Sequence, residues 1–114
     1  MKHTQSGDLS GKIFNLAEMV SYQDGSIVSR EVISSKGGTI TIFAFDKGQG
    51  LSEHTAPFDA FVQILDGDAD ITISGEEFHL KNGDMIIMPA HKPHAVKAGE
   101  KFKMLLVLMK KEPS

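Results

Sequence analysis

From Ser26 onward the chain is punctuated as strands are. Short β-branched and aromatic runs recur and are broken roughly every ten residues, mostly by glycine-bearing turns. "SIVSREVIS", "GTITIFAFD", "DAFVQILDG", "ADITISG", "EEFHLKNGD", "MIIMP", "HAVKA" and "KFKMLLVLMKK" read as successive strands. "LDGDAD" and "LKNGDM" hold Asp66-Gly67 and Asn82-Gly83, dipeptides that signal hairpins. This many short strands with no helix between them predicts an all-β antiparallel sandwich or barrel. One helical feature is expected, in "NLAEMVSY". There Asn15 could cap a turn or two, with Glu18 three residues on and Leu16, Met19 and Val20 on one side.

A chain of 114 residues with 40% hydrophobic content can build one core and is short for two. The expected organisation is an N-terminal arm with a short helical turn over 1–25 and a barrel over 26–112, with "KKEPS" as a solvated end. The net charge of −3, with both signs interspersed, offers no basic stripe for nucleic acid or an anionic membrane. The absence of cysteine removes thiol chemistry, disulfides and thiolate metal sites together. The N-terminus lacks the apolar core of a signal peptide, and no apolar run approaches the ~20 residues that cross a bilayer. A soluble, cytoplasmic protein is the expectation.

The spacing of a few residues is more specific. Gly48 is followed by five residues, then His54, one residue, Ala56, three residues, Ala60, six residues and Gly67. After 15 further residues comes Gly83, then five residues, Pro89, one residue, His91, two residues and His94. The pattern resembles the two motifs of the cupin superfamily, G-x5-H-x-H-x3,4-E-x6-G and G-x5-P-x-G-x2-H-x3-N, with a degenerate first motif. The resemblance spans about residues 48 to 98 and implies a small single-domain cupin: a jelly-roll barrel (double-stranded β-helix) of six to eight strands around an interior site. In that family two His and one Glu of the first motif and one His of the second bind a divalent metal. His54 and His94 stand at two of those positions, whereas Ala56 and Ala60 stand where the second His and the Glu would be. His91 replaces the second motif's glycine, and Ala98 its asparagine.

Side chains alternate along strands, so His54 and Ala56 share a face, as do Phe58, Ala60, Val62 and Ile64. With His94 entering from an opposite strand, the expected pocket is His54, Ala56, Phe58, Ala60, Val62 and His94: small, apolar, with two imidazoles. Two imidazoles alone hold a metal weakly, since catalytic zinc takes about three protein ligands and structural zinc four. The reading from the resemblance is therefore a protein that binds a small molecule in its barrel, with at most a weakly bound divalent ion (Zn, Mn, Fe or Ni) at His54 and His94, and His91 as a less favoured ligand. The alternative is a metal-dependent oxygenase, isomerase or lyase that recruits a third ligand from His91, Asp59, Glu53 or Gln63. No catalytic residue is assigned. No serine sits in a G-x-S-x-G elbow, and no G-x-G-x-x-G or Walker motif occurs. A sensor role is also open, without a helix-turn-helix in this chain to act on DNA. His79 and His3 are expected to be ordinary surface or hydrogen-bonded residues, and the methionines and phenylalanines at 43, 45, 58, 61, 85, 88, 104 and 109 core filler. Small cupins commonly pair, so the resemblance also implies a homodimer.

Overall fold

A computed structural model of the chain describes residues 8–110 and the backbone of Lys2–Thr4. The strands are β1 (Lys2–Thr4), β2 (Ile27–Ser35), β3 (Gly38–Phe45), β4 (Gly50–His54), β5 (Asp59–Gly67), β6 (Ala69–Ile73), β7 (Glu76–Leu80), β8 (Met85–Met88), β9 (His94–Lys97) and β10 (Phe102–Met109). They form a six-stranded sheet in the order β1-β2-β3-β10-β5-β8 and a four-stranded sheet in the order β4-β9-β6-β7. β1 lies parallel to β2, and every other described pairing is antiparallel. The fold is all-β, as the strand-length runs and glycine turns predict. His3 falls in β1, and its side chain lies outside the described residues, as do residues 111–114 of the tail.

Two expected hairpins are something else. β5 and β6 belong to different sheets, as do β7 and β8, so Asp66-Gly67 and Asn82-Gly83 carry the chain from one sheet to the other. Gly67 sits at φ +74°, and a Cβ there would lie 2.4 Å from the Lys101 carbonyl oxygen, which makes glycine a requirement of close backbone approach. The second crossover is fastened by Gly83 N–H donating to the Ile64 carbonyl (2.8 Å) and by the Asp84 carboxylate accepting from Lys81 N–H (2.9 Å). The hairpin between β6 and β7 turns instead at Ser74-Gly75, both with positive φ, the conformation that suits the twist of paired strands.

The main core lies between the sheets. The rings of Phe45 and Phe102 stack there, 4.6 Å apart and 7° from parallel, among fully buried Ile64, Ile71 and Met104. A second, smaller core lies on the outer face of the larger sheet, where Val20 packs with Val28, Ile42 and Ala44, flanked by Leu16, Met19 and Tyr22. The helical segment is one 3-10 turn, Leu16–Glu18, and the Asn15 side chain does not cap it. What holds the segment is the sheet beneath: the Tyr22 hydroxyl donates to Asp66 Oδ2 (2.5 Å), Arg30 Nη1 donates to the Met19 carbonyl (3.2 Å), and Lys103 Nζ donates to the Ala17 carbonyl. Met85 and Met109, expected as core filler, are instead about half exposed on this outer face (45% and 58%). Strand parity turns them away from Met88 and Met104, which are buried. No helix among the described residues is long and apolar enough to cross a membrane.

Candidate functional site

β4, like β1, is not among the runs that read as strands; its polar residues look like a loop, and it is mostly exposed. It pairs with β9 through a register shift, with Leu51 opposite Val96 and His54 opposite His94. Regular pairing would put Glu53 opposite His94. The extra residue of the bulge reverses parity within the strand, so that Leu51 and His54, three residues apart, both face inward. His94 is buried at 5% exposure, at the start of β9, while His54 is exposed at the rim.

The two rings meet edge to face, with centroids 4.3 Å apart, planes at 75° and Nε2 atoms 3.0 Å apart. Each ring is fixed from behind. His54 Nδ1–H donates to the Ser52 carbonyl (2.8 Å) and His94 Nδ1–H to the Lys92 carbonyl (3.2 Å). Burial, and then the neighbouring His54, hold the His94 imidazole below its ordinary pKa, against the opposing pull of the Lys92 carbonyl.

Beneath the pair lies a cavity of about 140 Å³. Ala56 and Ala60 line it, leaving open the space that larger side chains at those positions would occupy. In the larger sheet Ala60 sits between Met88 and Leu108 as its cross-strand partners, and both line the cavity. Phe58 and Val62, placed in the pocket by alternation alone, are not in its lining. Phe58 precedes β5 and lies under the Lys110 ammonium (5.9 Å to the ring centroid), while Val62 is fully buried in the main core. Leu51 and Val96 of the small sheet, with Met104 and Leu106 of β10, complete the wall. Those of β10 could have been found by alternation within "MLLVLM", but a continuous apolar run does not announce which parity faces inward.

The remaining candidate ligands do not line the cavity. Asp59 Oδ1 accepts from Ala90 N–H (2.8 Å), Gln63 Nε2 donates to the Gly83 carbonyl (3.4 Å), and Glu53 and His91 are exposed. Among the described residues no three His, Cys, Asp or Glu side chains converge as a metal group. The cavity offers two imidazole nitrogens in an apolar wall, and this donor set does not fit the resident divalent centre that the resemblance implies.

The sequence profile of the cupin domain family matches residues 41–109, which include both motifs and the cavity wall. The chain belongs to the cupin family. A conserved protein of unknown function from Streptococcus pyogenes has the same fold, with 38% identity over 96% of this chain and 97% of that one, and a TM-score of 0.87. A cupin 2 conserved barrel domain protein from Leptotrichia buccalis is 46% identical over 85% of this chain, which spans about half (47%) of that longer protein, with a TM-score of 0.83. A cupin superfamily protein from Desulfitobacterium hafniense is 28% identical over 90% of this chain and 94% of that one, with a TM-score of 0.84. No curated protein matches the chain.

Proposed function

We propose that this cupin binds a small, largely apolar organic molecule in the cavity beneath His54 and His94. The observation that supports the reading most is the contrast within the site: a wall of Ala, Leu, Met and Val side chains around about 140 Å³, with two imidazoles as its polar groups. An apolar cavity of about this size can hold one benzene-sized molecule. A divalent ion entering it would have two protein nitrogens and would be held weakly. Toluene tests the reading. Titrated into wild type, it is expected to give saturable amide shifts at Leu51, Val96 and Leu106, which Ala60→Leu abolishes while keeping the dispersed spectrum of a folded protein. Absence of shifts in wild type, or their persistence in the folded variant, contradicts it.

The same reading includes pairing with a second copy. Across the outer face of the large sheet, Ile33, Ile40, Val107, Phe61 and Ile87 stand directly opposite one another in register. Opposed residues share a face, so they form one apolar row across five strands, about 20 Å at ordinary strand spacing. Its two ends, Ile33 and Ile87, are 59% and 55% exposed. A two-fold axis would lay such a row on its own image, apolar against apolar.

A further inference from the structure

The hydrogen bonds behind the two imidazoles determine what can lie in front of them. A neutral imidazole carries one N–H and one lone pair, and the partner of one nitrogen decides the state of the other. His54 Nδ1 faces the Ser52 carbonyl oxygen at 2.8 Å and His94 Nδ1 faces the Lys92 carbonyl oxygen at 3.2 Å, so both Nδ1 atoms must be donors. Both Nε2 atoms then present lone pairs, 3.0 Å apart, to each other and to the cavity. While both rings are neutral, neither can donate to the other without turning a bare Nδ1 toward a carbonyl oxygen. The contact is thus two acceptors in want of a donor. Among the described residues no side chain supplies one: apart from the imidazoles the cavity wall is hydrocarbon and thioether.

We propose that the pair selects its ligand by this shortage: the cavity takes a small hydrocarbon body that carries one hydroxyl, whose single proton is shared between the His54 and His94 Nε2 atoms. The inference rests on the reading of the cavity as a binding site and adds the polarity of the recognition. A ligand whose only polar atom is an ether or ketone oxygen meets two lone pairs and is disfavoured, whereas phenol or an alcohol of similar size supplies the missing donor.

Phenol and toluene have nearly the same shape, so their comparison isolates the hydroxyl. In a cavity without an acceptor, burying the hydroxyl makes phenol bind about tenfold weaker than toluene or worse. In wild type, phenol is expected to bind at least as tightly as toluene. In the double variant H54L/H94L, which keeps the volume and removes both lone pairs, the order is expected to reverse by about tenfold. Toluene bound with phenol about tenfold weaker in wild type, or an order unchanged in the double variant, overturns the donor rule and leaves the cavity reading intact. If neither probe binds, the cavity reading itself fails. Nitrogen-15 correlation spectra of the imidazoles in the ligand-free protein provide a second readout that needs only wild type. Both rings protonated at Nδ1 agree with the proposal, and a proton on either Nε2 at neutral pH overturns it.

Discussion

His91 occupies the position where the cupin motif has glycine, and its backbone adopts φ +66°, the left-handed conformation that glycine enters freely. Its N–H donates to the Ala56 carbonyl (2.8 Å), which ties the loop before β9 to the loop that borders the cavity. A side chain in that conformation costs about 1 kcal/mol. His91→Gly is expected to raise stability by somewhat less than that, because glycine also loses more backbone freedom on folding. The urea midpoint measures it, and a lower midpoint would mean that the exposed imidazole holds the loop in a way the backbone does not explain. The motif spacing alone singled out His54 and His94, and the structure brings their Nε2 atoms to 3.0 Å. It could not exclude Phe58, because Pro57 and the entry into β5 break the alternation from which Phe58 was read.

At the scale of elements, most strands were legible because β-branched runs and their bounding turns are local signals. The partners of those strands were not. Asp-Gly and Asn-Gly tighten a crossover between sheets as readily as a hairpin, and the choice depends on which strands face each other in the finished fold. The bulge in β4 is of the same kind, since a register shift is a property of two strands. The β6-β7 hairpin gives a pH prediction. His79 on β7 is exposed and lies between two carboxylates of the preceding segment, with Nδ1 2.8 Å from Asp70 Oδ1 and Nε2 3.2 Å from Asp68 Oδ2. Asp70 first and then Asp68 raise its pKa above the ordinary 6.5. A raised folded-state value means that its stabilising contribution is complete below pH 6.5 and fades as pH climbs through the higher value. Wild type is therefore expected to be more stable than His79→Gln in mildly acidic buffer, with the difference closing toward alkaline pH. Unfolding midpoints of the two proteins across that range test it, and a difference that grows with pH would have the wrong sign.

For the whole molecule, the outer apolar row predicts self-association. Sedimentation equilibrium at micromolar concentration is expected to give twice the mass of the 12.4 kDa chain, and Ile87→Lys, at the exposed end of the row, to shift it toward the single chain. A single-chain mass for wild type would mean that another partner, or none, covers this face. The cavity follows from the molecule as a whole as well: a bulge turns His54 inward, the start of β9 supplies His94, and alanine at positions 56 and 60 leaves the space open. The central claim is that this remodelled cupin interior serves an organic molecule rather than a tightly held ion. Metal content per chain tests it most directly, measured on protein purified without a histidine tag or chelator for wild type, His54→Ala and His94→Ala. The account predicts well below about one equivalent in all three. About one equivalent in wild type, lost in both variants, would reveal a metal centre completed by a further ligand and would contradict it.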